Sequence, residues 1–197
     1  MTAAPTATEV AAPPKPVPQL PLHLKRIVLT GFMGAGKSTI GRLLARQLNW
    51  DFLDLDAHLE SRTNSTIAGL FALHGEPHFR RLESSALASA LAHTSTVIAL
   101  GGGTPEVLTN RLLLEQTPGT STIFLDASFE TLFDRCVLQD ISRPVLADPE
   151  LARTRFATRQ PLYRRLARLT LQTEALTPEE SVTSLLQSLE KITPGRR

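Results

Sequence analysis

Gly31-Phe32-Met33-Gly34-Ala35-Gly36-Lys37-Ser38-Thr39 matches the pattern G-x-x-x-x-G-K-[ST]. Glycines at this spacing let the backbone turn tightly and bring N–H groups against an anion with no Cβ in the way. Lys37 adds a mobile charge for the β- and γ-phosphates of a nucleotide, and Ser38 offers a hydroxyl to Mg2+. Two residues of a second kind follow in Asp54-Leu55-Asp56. A pair of carboxylates two apart, near a bound triphosphate, suits Mg2+ and a substrate hydroxyl. Asp56 would serve equally as the acidic cap of a helix. Gly101-Gly102-Gly103 costs stability inside any helix or strand and reads instead as backbone that a ligand approaches closely. Three arginine sites complete the set. Arg80 and Arg81 lie between Phe79 and Leu82, where at least one of them faces away from the apolar side of a helix. Arg143-Pro144 sits in a long loop that reads as a lid over phosphate or as a surface turn. Arg159-Gln160-Pro161-Leu162-Tyr163 places a proline where a helix is expected to break or kink, which would turn Arg159 off the regular face.

The surrounding elements must bring these groups together. Lys25–Thr30 is a short apolar run that reads as a buried strand, and Ile40–Leu48 has apolar residues at helical spacing. Strand, glycine loop and helix form the context in which the first motif binds phosphate. Further strands are expected at Asp51–Asp54, Thr96–Leu100, Thr120–Asp126 and Arg168–Gln172. Between them, several helices are expected over 57–92. Others are expected from Pro105 to Gln116, over Phe129–Val137 and Glu150–Ala167, and from Pro178 with Thr177 as N-cap. Alternation of this kind implies a parallel sheet covered on both faces, with the ligand at the carboxyl ends of the strands. The glycine loop, Asp54, Asp56 and the triple glycine should therefore share one crevice.

Composition sets bounds. The chain has 197 residues, 42% of them hydrophobic and 20% charged, as expected of one globular domain with a full core. A formal charge of only +2 means that anion binding depends on local placement. Residues 151–173 hold six arginines and no acid, but Phe156 and Tyr163 are too few aromatics for single-stranded nucleic acid. One cysteine, Cys136, excludes an internal disulfide and agrees with a reducing compartment. No apolar run of membrane-spanning length occurs. The five histidines show no metal-ligand spacing and read as packing or surface residues, and Trp50 as core or pocket wall. Residues 1–22 contain six prolines and five alanines, with Glu9 and Lys15 as their charges. They read as a disordered, partly polyproline II tail, leaving 23–197 as the folded domain.

The ordered set Gly31–Thr39, Phe52-Leu53-Asp54-Leu55-Asp56, Gly75-Glu76 with Phe79-Arg80-Arg81-Leu82-Glu83, Gly101–Gly103, Arg143-Pro144-Val145-Leu146 and Arg159–Tyr163 resembles the shikimate kinase family. The resemblance implies a three-layer α/β/α P-loop fold of the nucleoside-monophosphate-kinase kind, with a five-stranded parallel sheet and a lid. It implies transfer of the ATP γ-phosphoryl group to the 3-hydroxyl of shikimate, a step toward chorismate and the aromatic amino acids. It implies a cytoplasmic monomer with no nucleic-acid or membrane partner. By the same resemblance, Gly34, Ala35, Gly36, Lys37, Ser38 and Thr39 would hold the ATP phosphates, and Ser38 and Asp54 would hold Mg2+. Asp56 would bind shikimate hydroxyls and accept the attacking proton, while Arg80, Arg159, Gly101, Gly102 and Gly103 would receive the shikimate carboxylate and ring. Arg143 would touch the transferring phosphate, and Arg135 would lie against adenine. Pro77, Thr104 and Val145 depart from the family's usual residues without removing a charged role.

Overall fold

The computed structural model of the chain describes residues 20–138 and 148–191. Its centre is β1, Arg26–Thr30, buried at all five positions. A strand covered on both faces reads as a continuous apolar run, which is how this one appears in the sequence. Four further strands are β2 (Asp51–Asp54), β3 (Thr96–Ala99), β4 (Thr120–Asp126) and β5 (Leu169–Gln172). They form one sheet in the order β2-β3-β1-β4-β5. Every pairing is parallel; Ile27, for example, stands between Val97 and Ser121.

Seven α-helices cover the sheet among the described residues: α1 (Lys37–Leu48), α2 (Leu55–Thr63), α3 (Ile67–Ala90), α4 (Leu108–Gln116), α5 (Phe129–Leu138), α6 (Pro149–Leu166) and α7 (Pro178–Glu190). Side chains alternate across a strand, so β1 feeds two cores. Ile27 and Leu29 pack with Leu44 of α1, Leu132 of α5 and Leu185 of α7. Val28 packs on the other face with Leu55 of α2, Leu87 of α3 and Leu114 of α4. This is the three-layer arrangement expected from the alternation of elements. No described helix is long and apolar enough to cross a membrane.

Three expectations need correction. The helix after β1 begins at Lys37 rather than Ile40, because Gly36 takes a left-handed conformation (φ 84°) that ends the loop there. The segment after the triple glycine is split into a 3-10 turn, Thr104–Glu106, and α4, because Val107 is extended between them. Pro161 does not break its helix: α6 runs unbroken from Pro149 to Leu166. The true interruption lies in α3 at Gly75 (φ 73°, ψ 173°), two residues before Pro77. Glycine tolerates that angle, and Pro77, in the first turn after the break, has no N–H to give to the turn before it. The expected lid around Arg143 and most of the tail lie outside the described residues.

Candidate active site

The site forms where the carboxyl ends of β1, β2 and β3 release their loops. Gly31, Gly34 and Gly36 all have positive φ (146°, 76° and 84°). The glycine at 34 is also required by packing, since a Cβ there would run into the Leu132 carbonyl oxygen of α5. No side chain caps α1, so its first-turn amides and its positive dipole end are presented to the loop. Lys37 folds over that loop and donates from Nζ to the carbonyls of Gly31 (2.8 Å) and Phe32 (2.9 Å).

β2 ends at Asp54, whose carboxylate works in two directions. Oδ1 accepts from the amides of Asp56 and Ala57 and so caps α2. Oδ2 accepts from the Ser38 hydroxyl at 2.6 Å. The cap is thus Asp54, and Asp56 stands in the first turn of α2. Ser38 and Asp54 form an all-oxygen pair, which suits a hard cation such as Mg2+ that keeps water and phosphate as its other ligands. Among the described residues no cluster of three His, Cys, Asp or Glu side chains offers a competing metal site.

β3 delivers the triple glycine. A Cβ on Gly101 would meet Asp56 Oδ1 at 2.7 Å, and one on Gly103 would meet both terminal nitrogens of Arg80 at 2.7 Å. Glycine at these two positions leaves room for the ends of the Asp56 and Arg80 side chains and supplies no left-handed backbone. The expected grouping is present: the loop touches Asp54 through Ser38, and Asp56 faces Gly101.

Arg80 is the inward arginine of α3, placed beyond the Gly75 kink. It donates to Glu76 (3.0 Å), Glu83 (2.9 Å) and Glu106 (3.1 Å). Arg81 is exposed and meets His78 instead. Burial works against the Arg80 charge, but Glu83 above all, then Glu76 and Glu106, hold its pKa above the ordinary value. Glu83 is buried and also accepts from the Thr104 hydroxyl at 2.6 Å. Burial pushes its pKa up, and Thr104 and Arg80 pull against that without reversing it.

Arg159 enters from α6 and is only 7% exposed. It donates from Nη2 to Glu106 Oε2 at 2.9 Å, the oxygen that also takes Arg80 Nη2. One turn on, Tyr163 donates its phenolic O–H to the Gly102 carbonyl at 2.6 Å. Burial raises its pKa and keeps that proton in place. Buried Asp126, at the end of β4, accepts from Gln160, Gln172 and Arg164 and fixes α6 against the sheet. Arg135 is tied to Thr173 Oγ1 and to the Thr173 and Glu174 carbonyls, on the loop after β5. Arg143 lies outside the described residues.

Glu106, Thr104 and Asp126 have no motif to announce them. Glu83 and Tyr163 have a faint one, three residues after Arg80 and four after Arg159, one helical turn in each case.

A shikimate kinase family model matches residues 33–190. The chain belongs to the shikimate kinase family. The shikimate kinase of Pseudomonas putida F1 is 40% identical over 174 residues, covering 87% of this chain and 99% of that one. That of Pseudomonas aeruginosa LESB58 is 38% identical, covering 85% and 98%. Among solved structures, shikimate kinase from Acinetobacter baumannii in complex with shikimate superposes with a TM-score of 0.78 at 34% identity, covering 84% of this chain and 93% of the other. A gluconokinase from Sinorhizobium meliloti 1021, at 20% identity and a TM-score of 0.58, shares the fold alone. Membership of the family makes the protein an ATP-dependent shikimate-phosphorylating kinase.

Proposed function

We propose that the protein transfers the γ-phosphoryl group of ATP to the 3-hydroxyl of shikimate, giving shikimate 3-phosphate and ADP, in the route to chorismate and aromatic amino acids. The observation that carries this reading is the convergence of Arg80 and Arg159, from two different helices, on a single carboxylate oxygen beside the triple glycine. A guanidinium pairs with a planar carboxylate through two parallel bonds, a geometry lysine lacks. Two such groups at one point suit an acid as acceptor substrate.

In this reading the amides of Gly34 to Thr39 and the Lys37 ammonium hold the phosphates. Ser38 and Asp54 hold Mg2+, which when bound neutralises charge developing on the phosphate oxygens. Arg80 and Arg159 clamp the shikimate carboxylate over Gly101–Gly103. Asp56 binds the ring hydroxyls and accepts the hydrogen bond of the attacking one. The loose transition state of phosphoryl transfer asks mainly for positioning and only weakly for a base. Arg143 meets the transferring phosphate, and Arg135, held on the loop after β5, forms one wall for adenine. Residues 23–197 are the kinase domain and 1–22 a tail. The enzyme is a cytoplasmic monomer acting on small molecules, with neither nucleic acid nor membrane as partner. Its single cysteine is in keeping with a reducing compartment.

Coupled ADP release with Mg2+ tests this directly, with shikimate and gluconate compared as acceptors. Shikimate-dependent release is expected; release with gluconate alone would overturn the reading. Arg159→Lys should raise the shikimate KM about tenfold, since the bidentate geometry goes. Asp56→Asn should lower kcat by about 100-fold or more with the unfolding midpoint little changed.

A further inference from the structure

The shared oxygen between Arg80 and Arg159 belongs to Glu106, and the arrangement around it is asymmetric. A carboxylate reads a guanidinium well along the edge formed by Nε and Nη2, with two parallel N–H bonds. In Arg159 that edge is half used. Nη2 is taken by Glu106 Oε2 at 2.9 Å. Nε is buried and finds no acceptor among the described residues. A buried N–H without an acceptor carries the full desolvation penalty, so this atom marks a place for an incoming oxygen. A two-oxygen ligand can occupy the whole edge only after Glu106 has released Nη2.

Glu106 is built to leave. It sits at the end of the 3-10 turn that follows the triple glycine. Its side chain is 32% exposed, against 9% for that of Arg159. The position beside it is Gly103, where a Cβ would come within 2.8 Å of Glu106 Oε2 and 2.7 Å of Arg80. The missing side chain gives the carboxylate room to turn. Arg80 loses little when it goes, because Glu76 and Glu83 still hold it.

We propose that Glu106 is a stand-in for the substrate's carboxylate: it aligns the two arginines in the free enzyme and is displaced by the acid that binds there. This rests on the reading of Arg80 and Arg159 as the carboxylate clamp. Glu106 then sets specificity, because an uncharged acceptor has nothing with which to displace it. Binding of the acid is an exchange of one carboxylate for another, so affinity is lower than the two arginines alone would give.

The test is the shikimate KM of Glu106→Gln and Glu106→Ala, measured beside wild type and Arg159→Lys. Removing the competing charge should lower the shikimate KM by about threefold or more, as loss of partly exposed ion pairs allows. The KM for ATP should stay within about twofold, because the phosphate loop is untouched. A residue that merely braced the arginines would give the opposite sign. An unchanged or raised shikimate KM in both variants, with Arg159→Lys still raising it, overturns the role of Glu106 and leaves the clamp standing. If Arg159→Lys also leaves the KM unchanged, the clamp itself is wrong and the role of Glu106 falls with it.

Discussion

Glu83 is a carboxylate only 2% exposed in the middle of the site, and two donors, Thr104 and Arg80, keep it there. Burial nonetheless holds its pKa above the ordinary 4.5. As pH rises past 4.5 the unfolded chain gives up a proton that the folded chain still holds. The stabilising contribution is therefore complete below 4.5 and is lost as pH climbs through the raised value. Glu83→Gln removes the titration. In urea melts taken from pH 4.5 upward, the stability of wild type relative to Glu83→Gln should fall with pH; a constant difference would refute the assignment. At this scale what was legible is placement: the loop glycines, Lys37, Ser38, Asp54 and Asp56 meet in one crevice, as the alternation of strand and helix predicts. The loop glycines, Lys37, Ser38 and the Asp54/Asp56 pair follow from the geometry of phosphate and metal binding, and the shikimate kinase resemblance singled out Arg80 and Arg159. Glu106 was not legible. It is one glutamate after a proline, and its significance arises only when α3 and α6 bring residues 80 and 159 to the same oxygen.

Among the elements, strands were legible to within a residue or so, because the inner strands of a sheet covered on both faces are short, mostly apolar and β-branched runs. The prolines misled. Pro161 is carried inside α6, where Asp126 and the packed Tyr163 hold the helix through the lost hydrogen bond. The actual kink in α3 belongs to Gly75, which one sequence cannot distinguish from a tolerated helical glycine. At the start of the last described helix, Thr177 is the N-cap the sequence predicts, and the structure adds a second bond. Thr177 accepts from the Glu180 amide, and Glu180 accepts from the Thr177 amide at 2.8 Å, a reciprocal cap. α7 packs on α1, so this cap supports the helix that presents the phosphate loop. Thr177→Ala should cost about 1 kcal/mol and lower Tm by roughly 2–4 °C in thermal denaturation. An unchanged Tm would show that the cap contributes nothing beyond the packing.

For the molecule as a whole, alternation of strand and helix was enough to give three layers and a parallel sheet. The strand order was not available, because nothing local says which strand lies beside which. That order separates two poles. Lys25 and Arg26 donate backbone N–H groups to the Gly119 carbonyl at the amino end of the sheet, while every proposed site residue with a described position belongs to the carboxyl end. The tail therefore joins the domain at the pole remote from the crevice. Removing residues 1–22 should leave kcat and both KM values within about twofold, and a large loss in the ADP-release assay would make the tail part of the site.

The position of β1 has a consequence for synthesis of the chain. The strand that carries the phosphate loop is made first, yet its hydrogen-bonding neighbours are Thr96–Ala99 and Thr120–Phe124. A nascent chain leaving the ribosome cannot flank this strand on both sides until β4 has emerged, and β4 follows β1 only after α1, β2, α2, α3, β3 and α4. Long-range parallel pairing of this kind is slow and exposes apolar edges while it waits. A nucleotide that binds the loop only in the folded chain would then stabilise only molecules whose sheet has closed on both sides of β1.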